Sequence, residues 1–235
     1  MLIAGDLFHR QPLKKELKEL NYLFSRLTRT KVVFIAGNHD FIKHDSYYLT
    51  FRWNENVYPL LNGHMGSVEF KELKTSVYGL SYYQREITER IYDRAKAPGR
   101  QKYEILLAHG GDEKHIPIKK EILSNLGYSY IAMGHIHKPQ TLVENQIAYA
   151  GALEPIDKND TGKHGYVLGE VTEKGVKAEF IPSAKREYQH LVIEVGKGMT
   201  NGAVKEKIRE TIQENGIEHI YKFILRGFRD TDISF

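Results

Sequence analysis

The chain has no cysteine among its 235 residues. Disulfides and thiolate metal sites are therefore excluded, and any metal centre must be assembled from His, Asp, Glu or Asn. Long apolar stretches are missing too. No run approaches the ~20 residues that cross a bilayer, and the N-terminus lacks the basic, apolar and small-residue regions of a secretory signal. Neither sign of charge dominates: 34 Lys and Arg face 30 Asp and Glu, a formal net charge of +4, too small to imply nucleic acid unless a patch focuses it. Lys14, Lys15, Lys18, Arg26, Arg29 and Lys31 do crowd one region, and we read them as the solvated face of a helix. With hydrophobic residues at 41% and charged residues at 27%, what remains is an ordinary globular composition, and a cytoplasmic enzyme is the expectation.

Short apolar runs bounded by Gly, Asn, Asp or His recur through the first two thirds, as expected of strands buried on both faces. The clearest are Leu2 to Ala4, Val32 to Ala36, Tyr103 to Ala108 and Tyr130 to Met133. Between the first two, Leu13, Leu17, Leu20, Leu23, Phe24 and Leu27 recur at helical spacing, predicting an amphipathic helix within Pro12 to Arg29 and a βαβ unit. Lys119 to Leu126 is a second expected helix. Gln146 to Ala150, Gly165 to Val171 and Val176 to Ile181 alternate as strands with one exposed face do. Pro182-Ser183-Ala184 then punctuates the chain. Beyond it Leu191 to Val195 and Tyr221 to Leu225 read as strands around a helix from Ala203 to Glu214, with Gly202 breaking the chain before it.

Four strand ends run into metal-ligand residue types: Gly5-Asp6-Leu7-Phe8-His9, Gly37-Asn38-His39-Asp40, His109-Gly110-Gly111 and Gly134-His135-Ile136-His137. In α/β sheets such ends converge on one edge. The residue types suit phosphodiester hydrolysis, in which a pair of cations about 4 Å apart orients the attacking oxygen and neutralises the phosphoryl group. One carboxylate must bridge such a pair, and Asp6 is the candidate. Imidazole and amide oxygens add no negative charge, which keeps the site attractive to an anion. Mixed nitrogen and oxygen donors suit manganese, with iron, zinc or magnesium as alternatives.

Taken together, the four motifs resemble those of the calcineurin-like metallophosphoesterases. GDLFH and the later YAGALEPID at Tyr149 to Asp157 resemble the SbcD-type DNA repair nucleases and YhaO-like proteins. The resemblance implies an α/β fold, a two-sheet αββα sandwich over residues 1–183, and the start of a small α/β DNA-binding cap over 184–235. It implies that Asp6, Asn38, His109 and His135 hold one metal and that His137 holds the other with Asp6. It gives His39 a role at the transition state or leaving group, oriented by Asp40, and places His9 near the scissile phosphate. The family's first strand ends in Asp-x-His, which supplies the first metal. That motif does not occur between Met1 and Asp6, so one well-bound metal and little nuclease activity are expected of this chain as given.

Arg10 and Lys138 flank metal motifs and are candidates for holding backbone phosphates, with plain surface charge the competing reading. His44, His64, His115, His164, His190 and His219 have no motif context and are expected to be ordinary polar residues, with His44 and His115 near the rim. Phe51, Trp53, Tyr58, Tyr82 and Tyr83 are expected in the core or at a subunit contact rather than as a stacking platform for bases. The resemblance further implies homodimerisation through Tyr47 to Tyr58, DNA as substrate, and an SbcC-like coiled-coil ATPase as partner. The expected function is thus a DNA exo- or endonuclease of double-strand-break repair. The rivals are a phosphatase or cyclic-nucleotide phosphodiesterase on the same metal core, and a non-catalytic scaffold that binds DNA ends or the ATPase.

Overall fold

The computed structural model describes residues 1–228. Its described elements run β1 (Leu2–Ala4), α1 (Lys14–Ser25), β2 (Val32–Ile35), α2 (Tyr47–Thr50), β3 (Val57–Pro59), β4 (Gly66–Phe70), β5 (Thr75–Gly79) and β6 (Tyr103–His109). They continue with α3 (Lys120–Leu123), β7 (Tyr130–Gly134), β8 (Gln140–Val143), β9 (Ile147–Tyr149), β10 (Gly165–Thr172), β11 (Gly175–Pro182), β12 (Tyr188–Val195), α4 (Asn201–Asn215) and β13 (Ile220–Gly227). No helix among them is long and apolar enough to cross a membrane.

The larger unit comprises Met1–Gly151 with Val167–Phe180. Its first sheet is parallel, in the order β1-β2-β3, and its second is six-stranded, in the order β4-β5-β6-β7-β9-β8. The inner strands β5, β6, β7 and β9 are parallel, while β4 and β8 close the edges antiparallel. Strand β2 shows why its sequence is continuously apolar. Val32 and Phe34 pack with Leu17 and Phe24 of α1, whereas Val33 and Ile35 pack with Val77 and Leu107 of the second sheet. Successive side chains point to opposite faces, so both faces of β2 are buried. Leu106 and Ala108 of β6 face outward into a third cluster with Tyr82, Tyr92 and Ile131. The layers are those of a mixed α/β sandwich, with a helix over one sheet and a looped cluster over the other.

Helix α1 starts because Glu16 reaches back to the Leu13 N–H at 2.7 Å, satisfying one of the donors that the first turn leaves open. Arg10 pairs with the same carboxylate at 2.6 Å. The crowded basic residues of this region are exposed, as a solvated face requires. The expected second helix shrinks to the single turn of α3. Phe51 and Trp53 belong to the core, Trp53 lying edge-on to Phe34 at 4.9 Å, and Tyr82 is fully buried, while Tyr83 is 46% exposed.

A second unit comprises Ala152–Tyr166 with Ile181–Phe235, so residues 152–166 group with the part of the chain expected to form the cap. Its strands β12 and β13 pair in parallel from Tyr188↔Ile220 to Val195↔Gly227, and Val195 and Leu225 pack on Val204 and Ile208 of α4. The helix does not wait for Gly202 to pass. Thr200 accepts the Ala203 N–H at 3.2 Å, and that cap starts α4 at Asn201, ahead of the glycine. Residues 229–235 of the expected cap lie outside the described residues.

Candidate metal centre

Strands β1 and β2 of the first sheet, and β6 and β7 of the second, deliver the four motifs to one place. His109 closes β6 opposite Gly134 of β7. Backbone at two of these ends is held in the left-handed region, with φ of 52° at Asp6 and 96° at His135, a strain that functional sites often store. Two glycines make the approach possible. A Cβ on Gly37 would overlap Asp6 Oδ1 and lie 2.6 Å from His109 Cε1. One on Gly134 would strike the Ala4 carbonyl.

The fully buried His109 ring sits at the middle. Its Nδ1 lies 2.7 Å from the Ala4 carbonyl oxygen, which can only accept, so Nδ1 carries the proton. Nε2 lies 2.9 Å from Asn38 Oδ1 and 3.3 Å from Asp6 Oδ2, and when it carries no proton it turns a lone pair toward both. His135 Nδ1 stands 3.1 Å from the same Asn38 oxygen. Ligand atoms of Asp6, His109 and His135 all fall within 4.8 Å of one another. Lone pairs repel, and a proton on Nε2 would serve one of these oxygens at a time. A divalent cation satisfies them together, so the donor set fits a metal of nitrogen and oxygen preference.

The electrostatics agree. Burial opposes ionisation of Asp6, but contact with His109, which donates when its Nε2 is protonated, and the His39 N–H, donating at 2.9 Å, outweigh it and hold the carboxyl below its ordinary value. Burial lowers the pKa of both His39 and His135 against the pull of Asp6 and Asp112 respectively, which favours the uncharged rings. His9 stacks on His39, with centroids 4.2 Å apart and planes at 23°.

Other expectations meet a different geometry. Asp40 does not orient His39. Its fully buried carboxylate accepts from the Gly37 N–H at 2.7 Å, the Phe8 N–H at 3.3 Å and the Tyr48 hydroxyl at 2.7 Å, tying the Asp6 and Asn38 loops together. Arg10 is committed to Glu16 and the Gln11 carbonyl at the start of α1, a task that competes with phosphate binding. Lys138 is exposed beside the half-buried His137, and His137 is not in the group formed by Asp6, His109 and His135.

Residues 1–139 match the family model of the calcineurin-like phosphoesterases. The chain belongs to that family. Among the similar proteins is the metallophosphoesterase YhaO of Bacillus subtilis, 27% identical over 245 residues, covering 97% of this chain and 59% of the relative. Another is the DNA double-strand break repair protein Mre11 of Methanocaldococcus jannaschii, 27% identical over 177 residues, covering 68% of this chain and 46% of that protein. The chain thus spans about half to three fifths of the length of these relatives.

In this calcineurin-like phosphoesterase two more residues lie against the group: Asp112, which sequence reasoning passed over, and His115, which it placed near the rim. Asp112 Oδ2 lies 2.7 Å from His135 Nε2, and His115 Nδ1 lies 2.8 Å from Asp112 Oδ1. The His115 and His135 rings are 4.4 Å apart. His115 is therefore half-buried beside the centre, at the rim where the sequence placed it, and is paired there with Asp112. Burial would raise the Asp112 carboxyl, but the hydrogen bonds from His135 and His115 override it and hold it far below the carboxylate range. The only sequence signal was an Asp and a His three apart in a loop opened by Gly110-Gly111.

Proposed function

We propose that this phosphoesterase is a metal-dependent phosphodiesterase that cuts DNA, a nuclease of the SbcD or YhaO kind. One observation carries the reading: carboxylate, amide and imidazole ligand atoms of Asp6, Asn38, His109 and His135 converge beside the stacked imidazoles of His39 and His9. Those first four residues would hold a cation, and His137 with Asp6 would contribute to a second. Bound there, the metal supplies Lewis-acid neutralisation of phosphoryl oxygens. Manganese fits the mixed donors best, with Fe2+, Zn2+ and Mg2+ as alternatives.

The chain's own residues supply the rest. Asp6 is the sole carboxylate in the convergent group, so a divalent cation held there would keep a net positive charge toward a phosphodiester. The uncharged His39 ring offers an N–H to a phosphoryl or leaving oxygen and a lone pair to a proton, and His9 limits the ring's freedom to turn. Support for DNA over a small ester comes from the match to the DNA double-strand break repair protein Mre11 over 68% of this chain and from the second unit, which lies beyond the family match. We assign that unit as the start of a DNA-binding cap. Cytoplasmic location, an SbcC-like ATPase partner and a homodimer through Tyr47 to Tyr58 complete the proposal, and Tyr47 and Leu49, 47% and 50% exposed, offer the dimer an apolar contact.

The test is Mn2+-dependent cleavage of end-labelled linear duplex and single-stranded DNA by the full-length gene product, run beside a chromogenic phosphodiester. DNA cleavage that disappears in Asp6→Asn and His109→Gln is the expected result. Hydrolysis of the chromogenic ester with intact DNA would replace the nuclease by the phosphatase reading, and Mn2+ binding without hydrolysis of either would leave a scaffold.

A further inference from the structure

A neutral imidazole has one lone pair, so a histidine that ligates through Nδ1 must carry its proton on Nε2. His135 Nδ1 faces the Asn38 oxygen at 3.1 Å, and its Nε2 faces Asp112 Oδ2 at 2.7 Å. Only the tautomer with the proton on Nε2 gives a donor to the carboxylate and a lone pair to the centre. Asp112 is itself fixed. Its Oδ1 accepts the backbone N–H groups of Lys114 at 2.8 Å and His115 at 3.0 Å, in a loop whose Gly111 N–H donates to the His115 carbonyl at 2.8 Å. The His115 ring contributes a further Nδ1 contact, at 2.8 and 2.9 Å to the two carboxylate oxygens.

We propose that Asp112 is a positioning residue that sets the His135 tautomer and so aims its Nδ1 lone pair at the group of Asp6, Asn38 and His109, with His115 steadying the carboxylate. The inference rests on the metal reading of that group. Asp112, His115 and His135 also lie close enough to suggest a cation of their own. One lone pair on His135 cannot serve both places, and the short contact to Asp112 is a hydrogen bond. Partners of this kind, which orient a ligand and raise its basicity, change metal affinity by about 10- to 100-fold when removed.

Asp112→Asn discriminates because it keeps the turn. Its Oδ1 still meets the Lys114 and His115 N–H groups, which leaves the amide NH2 to face His135 Nε2. The expected tautomer therefore reverses, placing a proton on Nδ1 toward the centre. In the metal-free protein labelled with 15N-histidine, NMR should show His135 protonated on Nε2 in the wild type and on Nδ1 in Asp112→Asn, with the signal assigned by its loss in His135→Gln. Calorimetric Mn2+ affinity should fall by about 10- to 100-fold in Asp112→Asn. Asp112→Glu should recover part of it, as a carboxylate acting through His135 predicts. An unchanged tautomer with wild-type Mn2+ affinity in Asp112→Asn would overturn the proposal. A tautomer that reverses in a protein whose wild type takes up no Mn2+ would uphold the role of Asp112 while overturning the metal reading.

Discussion

Tyr48 is 1% exposed, and its hydroxyl is one of three donors to the fully buried Asp40 carboxylate. Replacing Tyr48 with Phe removes that donor and puts nothing in its place. A hydrogen bond to a charged group contributes about 1.5–3 kcal/mol, so Tyr48→Phe should lower stability by about 2 kcal/mol at neutral pH. For a domain of this size that is a fall in melting temperature of about 4–8 °C. The pH dependence gives the sharper test. Burial raises the Asp40 carboxyl above its unfolded value, against the Tyr48 hydroxyl, which lowers it. A raised carboxyl costs stability when ionised, and the cost shrinks as pH falls below the folded pKa and is gone below the unfolded one. Without Tyr48 that pKa rises further and the neutral-pH cost grows. Once Asp40 is protonated in both proteins, most of the difference vanishes. Urea unfolding of wild type and Tyr48→Phe, followed from pH 8 downward, should therefore show a gap that narrows once pH falls below the raised Asp40 pKa. A gap that is absent at pH 8, or that widens in acid, would refute the role given to Asp40.

Further outcomes follow from the same contacts. His39→Ala should reduce turnover of a phosphodiester by about 10²- to 10⁴-fold, the range for a positioned proton-transfer group, while Mn2+ affinity by calorimetry changes little. His109→Gln should abolish Mn2+ binding, because the buried ring supplies both the lone pair and the link to Ala4. Thr200→Ala removes the cap of α4 and should destabilise the second unit by about 1 kcal/mol, read by urea unfolding followed through circular dichroism. Lys138→Ala should weaken DNA binding more at low salt than at high salt if the exposed ammonium meets phosphate, and a salt-independent effect would exclude that contact.

Strand β2 and the motif at its end were legible because a strand buried on both faces leaves an unbroken apolar run, and its ligands follow immediately. Strand β4 was not, since Ser67 and Glu69 interrupt its apolar residues as its edge position permits. Adjacency misled at Asp40. Neighbouring side chains diverge, and the carboxylate that follows His39 in sequence serves Gly37, Phe8 and Tyr48 instead. Asp112 lay hidden for the opposite reason. Its partner His135 is 23 residues away, and only a loop folded back through Gly110 and Gly111 joins them.

Asp6 and Asn38 hang from the three-stranded sheet, whereas His109 and His135 hang from the six-stranded one. The hydrogen bond from His109 to the Ala4 carbonyl already crosses between them. A cation held by all four residues would rivet the two halves of the sandwich at their seam. Parting the sheets would then require the ion to leave first. Saturation at about 100 times the dissociation constant would add about 2.7 kcal/mol to stability, so the metal centre would double as the lock on the core beneath it.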